Sequence, residues 1–451
     1  METRKPAART ATLRVTGAAV RWLGLYLFIV VAPLFALLPD AASAGRGFTW
    51  DFAMALGYAG MAMLGVQFAL TARFKRATAP FGIDIVYYFH RYLALAALAI
   101  VLAHYALVRA SVAGGLGTVD PREAPGYMTA GRIALALFLV LVVASLVRRA
   151  LRLDYDRWRR LHALLATVAF ALALLHVLGS AHYLDTAWKQ LLWAAYGAFW
   201  LALIGYVRVL RPWRVARRPW RVLEVRPERG RVRTLVLAPD DNRPLHFAAG
   251  QFVWLTLRAS PFAMREHPFS IASSAERPDR IELAIKELGD FSAAIGSVRA
   301  GETAWVDAPY GTFGIDVRPD APGYVFVAGG VGIAPVLSML RTLADRNDRR
   351  PLWLFYGNRA WERAAFRDEL ERLAGCLDLT LIHLLQEPPA EWTGERGLLN
   401  REMLARHLPA GHADLEYLVC GPTPMTHVAE AALARLGVPA GRIHSEIFDW
   451  V

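Results

Sequence analysis

Six apolar runs, at residues 22–38, 52–70, 92–108, 133–147, 161–178 and 191–207, fall within the first 210 of 451 residues. Runs of this kind leave few options. In lipid every backbone polar group must be satisfied within its own segment or barrel, so runs separated by short loops become membrane helices. A span needs roughly 17–25 residues, so the shorter runs cross only with their flanks. Basic residues mark one side. Arg4, Lys5, Arg9 and Arg14 precede the first run, and Arg73, Lys75 and Arg76 follow the second. Six arginines from Arg148 to Arg160 separate the fourth and fifth, and five from Arg208 to Arg218 follow the sixth. The positive-inside rule puts these loops, and everything after Arg218, in the cytoplasm. The expected protein is integral to a plasma membrane, in a bacterium the inner one. The formal charge of +12 comes with these loops, so no nucleic-acid partner is expected. Two cysteines exclude a disulfide framework and a Cys-rich zinc site. A second reading of the start stays open: a basic end, an apolar run and "AASAG" at 41–45 also fit a cleaved signal peptide.

Two of the runs carry paired histidines. His90 and His104 are fourteen residues apart on the third, and His162 and His176 are fourteen apart on the fifth. At about 100° per residue, fourteen steps return to within about 40° of the same face and rise roughly 21 Å. The third and fifth spans run parallel, so His90 can face His162, and His104 can face His176, at matched depths. Two such pairs can each hold one haem iron from both sides. With both axial positions filled by imidazole, the metal is suited to electron transfer rather than to binding oxygen. A lone intramembrane histidine is commonly a satisfied polar group or a proton relay, but polar groups at this depth are costly and usually functional. Arg91, Arg159 and Arg160 lie at the depth of the first pair, and Arg109 and His182 near the second. They read equally as partners for haem propionates or as topology signals.

After Arg218 the pattern changes. "RVLEVRPERGRVRTLVLAP", "GQFVWLTL", "HPFSIASS", "RIELAIKEL" and "ETAWVDAPYG" are short runs bounded by Gly, Pro and Asp. They predict an antiparallel β-barrel. "GDFSAAIGSVR" predicts a short helix from Asp290 whose N-terminus can hold a pyrophosphate. From Pro319 the order becomes strand, Gly-rich turn, helix: "YVFVAGGVGIAPVLSML", then "PLWLFYGN", a helix from Trp361, "DLTLIHLL", "YLVCGP" and another helix. That alternation predicts a parallel, doubly wound Rossmann-like sheet. Gly329, Gly330 and Gly332 depart from G-x-G-x-x-G, so the turn alone is a weak dinucleotide signal.

Taken in order, these motifs resemble the ferric reductase and NADPH oxidase superfamily, in which a six-helix haem domain is fused to a ferredoxin-reductase-like dehydrogenase. The resemblance implies three domains: a transmembrane haem domain (1–213), an FAD-binding barrel (214–318) and an NAD(P)-binding domain (319–451). It implies flavin contacts from "HPFS" (His267, Pro268, Phe269, Ser270) and from "KELGDFS" (Lys286, Gly289, Phe291, Ser292), with Tyr310 in the joining turn. It implies nicotinamide-coenzyme contacts from Gly330, Gly332, Arg359 in "YGNR", and Cys420 and Gly421 in "CGP". Cys420 is expected beside the nicotinamide as a shaping residue, and Phe448, with Trp450 as rival, as the aromatic lid over the flavin. His267 stands where soluble relatives have arginine, and Arg265 is nearby. The implied activity is transfer of electrons from NADPH or NADH through FAD and two b-type haems to a small-molecule acceptor across the membrane, oxygen or a ferric chelate. Alternatively the chain is a membrane subunit feeding a periplasmic partner protein. Arg359 leans toward NADPH, since arginine at that place can pair with a 2′-phosphate.

Overall fold

The computed structural model describes residues 6–37, 47–73, 83–111, 117–181 and 183–447. Arg4, Lys5, the 41–45 segment, Lys75, Arg76, His182, Phe448 and Trp450 lie outside the described residues. The chain divides into two compact units, one chiefly Gly17–Phe74 with Ile85–Pro212, the other chiefly Trp213–Val451.

The first unit is helical. Its elements are α1 (Pro6–Phe35), α2 (Phe48–Thr71), α3 (Ile83–Ser111), α4 (Gly126–Val147), α5 (Tyr155–Ser180) and α6 (Ala187–Gly205). α6 continues through a π-helical turn, Tyr206–Leu210, into α7 (Arg211–Ala216). Among the described residues, 5 helical segments are long and apolar enough to cross a membrane: Phe48–Thr71, Val86–Ser111, Gly126–Val147, Tyr155–Ser180 and Ala187–Ala216. The first expected span is instead a shorter apolar stretch, Val20–Phe35, with Pro33 inside its last turn. Trp193, Trp200, Phe170 and Tyr58 are buried at the centre of the bundle. Small residues let the helices close on them: a Cβ on Gly65 would meet the Trp200 ring at 2.4 Å. Leu164, Leu175, Val140 and Phe199 stay exposed on the outside, where a lipid-facing bundle wants apolar groups.

The second unit holds two sheets. The first is antiparallel: β1 (Pro219–Glu228), β2 (Val232–Pro239), β3 (Phe252–Leu257), β4 (His267–Ser270), β5 (Ile281–Lys286) and β6 (Thr303–Tyr310), in the order β4-β3-β6-β1-β2-β5. An isolated bridge between Ile271 and Leu283 brings its two edges together. The inward faces supply a core of Val222, Leu235, Val253, Leu255 and Ile285. Between β5 and β6 lies α8 (Asp290–Ala294).

The second sheet is parallel, in the order β10-β9-β8-β7-β11-β12. Its strands are β7 (Tyr324–Gly329), β8 (Leu352–Asn358), β9 (Leu379–Leu385), β10 (Glu395–Arg396), β11 (Glu416–Gly421) and β12 (Ile443–Ile447). Its helices are α9 (Ile333–Asp345), α10 (Arg367–Ala374), α11 (Arg401–His407) and α12 (Thr423–Arg435). Side chains of β7 alternate: Tyr324, Phe326 and Ala328 pack with α9 and α10, and Val325 and Val327 with α11 and α12. Helices thus cover both faces, as a buried parallel sheet requires. The helix expected from Trp361 begins only at Arg367; Trp361–Arg363 is a single 3-10 turn, and Phe366 at φ 58° interrupts the helical path. The strand β10 and the helix α11 carried no signal strong enough to be expected.

α9 ties the two sheets together. Ser338 Oγ donates to the Ser273 carbonyl at 2.7 Å, and Thr342 Oγ1 accepts from Ala275 N–H at 2.9 Å. Arg341 donates to Glu282 of β5, to the Ala272 carbonyl and to both oxygens of Glu369, at 2.7–2.9 Å.

Candidate functional site

One of the two expected histidine pairs is seen face to face. The rings of His90 and His162 lie 6.3 Å apart between centroids. That separation accommodates one metal atom bonded to both at about 2 Å, the usual metal–imidazole length. His104 Nδ1 lies 2.7 Å from the carbonyl of Ala53 on α2, and His176 Nδ1 lies 3.0 Å from the carbonyl of Tyr127 on α4. A carbonyl only accepts, so in both rings Nδ1 carries the proton and Nε2 keeps its lone pair. That is the tautomer a metal ligand needs, with the other nitrogen anchored as in most metal-binding histidines. Both rings are cradled by glycine. A Cβ on Gly57 would stand 2.9 Å from the His104 ring, and one on Gly131 2.7 Å from the His176 ring. The donor set fits haem: four imidazoles in the bundle, with His90 facing His162 and with the tautomers of His104 and His176 fixed by backbone carbonyls. Among the described residues there is no cluster of three or more His, Cys, Asp or Glu that could hold a metal, and a bis-imidazole site needs only two.

In the barrel, the flavin-motif strand and α8 meet through stacked rings. His267 lies 4.0 Å from Phe291, and Phe269 lies 5.9 Å from it on a near-parallel plane. Ser270 is buried and its hydroxyl finds no partner among the described residues, a group that a flavin carbonyl or ring nitrogen would satisfy. Ser292 does not point outward. Its hydroxyl accepts from Leu288 N–H and Gly289 N–H at 2.9 Å and donates to the Gly289 carbonyl. α8 is only five residues long, so this segment offers less to a pyrophosphate than the expected helix N-terminus. Tyr310 is buried against Phe252 and Trp254 and donates to Asp307 at 2.9 Å.

Lys286 ends β5 and turns toward the nucleotide sheet. Its Nζ lies 3.7 Å from where a Cβ of Gly330 would be. Burial, then the charges of Arg363 and Arg231, hold its ammonium pKa below the ordinary lysine value. An ammonium beside the Gly-rich turn is placed where phosphate oxygens of a coenzyme would be held. Gly332 packs its Cα against β11, where a Cβ would stand 2.2 Å from the Cys420 carbonyl. Cys420 is fully buried, and burial, with Glu446 nearby, pushes its thiol well above the usual range. A thiol held neutral in this way is a poor nucleophile. Gly421 pairs with Ile447, the last described residue; Phe448 lies just outside.

Arg359, beyond the end of β8, is not free. It is ion-paired with Glu387 at 2.9 Å, and its carbonyl accepts from Glu387 N–H at 2.7 Å. Beside it stands an aromatic group that no motif pointed to: Trp361 lies 5.0 Å from both His383 and Trp392, under the guanidinium of Arg367. Burial, then Arg367, holds His383 down to about 4, so it is a neutral wall. The available signal was a tryptophan a few residues after each of two strands, Trp361 after β8 and Trp392 after β9.

Residues 56–173 match the family described as ferric reductase like transmembrane component, 234–312 an FAD-binding domain, and 326–431 an oxidoreductase NAD-binding domain. Ferredoxin–NADP reductase B of Sorangium cellulosum is 33% identical over 237 residues, covering 51% of this chain and 96% of its own length. The chain belongs to the ferric reductase and NADPH oxidase superfamily. It is a membrane oxidoreductase whose second half is ferredoxin-reductase-like, with FAD- and NAD(P)-binding domains. The reductase component of propane 2-monooxygenase from Mycolicibacterium smegmatis is 31% identical over 50% of this chain, which spans 66% of that protein. The flavin and nicotinamide portion of nitric oxide dioxygenase from Vibrio cholerae superposes with a TM-score of 0.46 at 23% identity, over 51% of this chain and 98% of its own. The transmembrane match contains His90, His104 and His162, and ends three residues before His176.

Proposed function

We propose that this chain carries electrons from cytoplasmic NAD(P)H, through FAD and two b-type haems, to an acceptor on the far side of the membrane. The observation that supports it most is the facing of His90 and His162 at 6.3 Å, in a chain that also holds flavin and nicotinamide domains. His90 and His162 would hold the haem nearer the cytoplasm, and His104 and His176 the outer one. When bound, the flavin takes a hydride and releases electrons singly, and each haem takes one at a time. The chain's own residues orient and bury these groups. α9 fixes the barrel against the nucleotide sheet, Lys286 attracts phosphate, and Cys420 shapes the floor under the nicotinamide. Residue 448 follows the strand pairing with the CGP segment, so Phe448 remains the proposed lid on the flavin.

The acceptor is tested by supplying purified full-length protein with NADH or NADPH and measuring superoxide and ferrous-chelate formation separately. Turnover with oxygen or a ferric chelate alone is the expected result. Flavin reduction without turnover to either acceptor, restored by a periplasmic fraction, would assign the chain to a partner-feeding subunit instead. Flavin reduction with no reducible haem would overturn the proposal.

A further inference from the structure

The barrel meets the nucleotide sheet at a second place, the tip of its first hairpin. β1 and β2 pair up to Glu228 and Val232, which leaves Arg229, Gly230 and Arg231 to turn the chain. Gly230 and Arg231 both take left-handed backbone, at φ 70° and 60°. Gly230 lies against the turn that follows β8. A Cβ there would stand 2.3 Å from the Arg363 carbonyl oxygen, where ordinary contact starts at 3.4 Å. An ion pair crosses the same contact, Arg229 with Asp368 at 3.6 Å, but its side chains are 44% and 65% exposed, and such pairs contribute little. Close packing on a glycine is therefore what sets the spacing.

The segment beneath the tip is held from outside. Trp361–Arg363 is a single turn. Phe366 is buried and sits at φ 58°, a state that a bulky residue keeps only where its surroundings impose it. Glu369 at the far end is gripped by Arg341, which also binds Glu282 of β5. The same segment lies beyond the carboxyl end of β8, the edge at which a doubly wound sheet takes its ligand. It carries Trp361, grouped with His383 and Trp392.

Resting on the reading that NAD(P)H reduces the flavin, we propose that this hairpin tip is a spacer that sets the bound coenzyme against the barrel, with Gly230 as its positioning residue. The step concerned moves a hydride, with its two electrons, from the coenzyme to the flavin and leaves NAD(P)+. A side chain at position 230 must widen the contact from 2.3 Å toward 3.4 Å, a shift of about 1 Å. The hairpin is tied by its own ladder, so the coenzyme side yields. A misplacement of about 1 Å costs up to about 100-fold in rate.

The test is stopped-flow reduction of the flavin in purified full-length protein. FAD content, melting temperature and the long-wavelength charge-transfer absorbance of the flavin–nicotinamide complex are read on the same samples. Asparagine tolerates left-handed backbone, so Gly230→Asn adds the Cβ with little strain. Its limiting rate at saturating coenzyme should fall at least about tenfold. The charge-transfer absorbance should weaken, and FAD content should stay as in the parent. Gly230→Ala should lose as much rate while melting lower. Gly437→Ala puts the same kind of strain, at φ 85°, where a Cβ meets nothing within 4 Å, and should keep the parent rate. A merely structural glycine would change melting and leave the limiting rate alone; that result in Gly230→Asn would overturn the inference. An equal loss of rate in Asp368→Asn would assign the effect to charge, and one in Gly437→Ala to stability, and either would overturn it too. So would loss of FAD from both variants at position 230, which would make the tip part of the barrel's own fold. A wild-type flavin that neither NADH nor NADPH reduces would sink the underlying reading instead.

Discussion

Arg341 offers the clearest stability test, because its removal leaves charge with nowhere to go. The guanidinium stands between Glu282 and Glu369, with side-chain exposures of 17%, 12% and 23% respectively. Arg341→Met keeps the volume and strands two carboxylates. Removing one partner from a buried ionic group costs about 3–5 kcal/mol. Arg226 still touches Glu282 at 2.8 Å, which argues for the low end, about 3 kcal/mol. For a unit of this size that is a fall in unfolding temperature of roughly 6–12 °C. The pH dependence has a definite sign. Burial pushes the Glu282 carboxyl up, but Arg341 and then Arg226 outweigh it and hold it below the usual carboxylate range. A depressed folded pKa gives stability that is present above the unfolded value, about 4.3, and lost as pH falls through the folded one. Without Arg341 the burial effect dominates and Glu282 takes a proton more readily. The deficit of the variant should therefore be largest near pH 7.5 and smaller near pH 5. Intrinsic-fluorescence melts of full-length protein in detergent at both pH values measure it. A fall of less than about 2 °C, or an equal deficit at both, would refute the reasoning.

Other outcomes follow from single contacts. Glu387→Gln frees Arg359 and removes a negative charge from where a 2′-phosphate would approach; one unit charge at 4 Å is worth about 1 kcal/mol in water. The NADPH-to-NADH ratio of flavin-reduction efficiency should rise roughly fivefold and fall back as salt is added; an unchanged ratio removes Glu387 from coenzyme choice. Ser270→Ala deletes a buried hydroxyl poised for the flavin, so FAD affinity of the apoprotein should weaken about fivefold, one hydrogen bond's worth. Equal FAD titration curves would show that the hydroxyl faces elsewhere.

Much of this was legible in the chain. The fourteen-residue repeat needs only helical geometry, and it brought His90 to His162. Alternation and turn residues were enough for the kind of both sheets, though the first expected run proved to be the two strands β1 and β2 and β10 was not foreseen. Contacts between separate elements were not legible. Nothing near Arg359 announces Glu387, twenty-eight residues on, as its ion partner, and nothing near His176 announces Gly131. Helix pairing in a bundle is chosen by fine packing, which spacing on one helix does not encode. The expected helix at Trp361 failed because its apolar pattern was right while Phe366 takes a left-handed backbone turn that no propensity marks. The expected 2′-phosphate arginine is neutralised by a neighbour, a fact of tertiary structure alone.

The central claim is that the membrane unit holds two haems between facing histidines, and haem quantification on purified protein tests it most directly. Wild-type chains should carry two b-type haems each. His104→Leu should carry one, because the Ala53-anchored ligand is gone while the His90 and His162 pair is untouched. His162→Leu should likewise lose the other. A His104→Leu protein that still binds two haems, or a wild-type protein that binds none when haem is supplied during expression, would contradict the account.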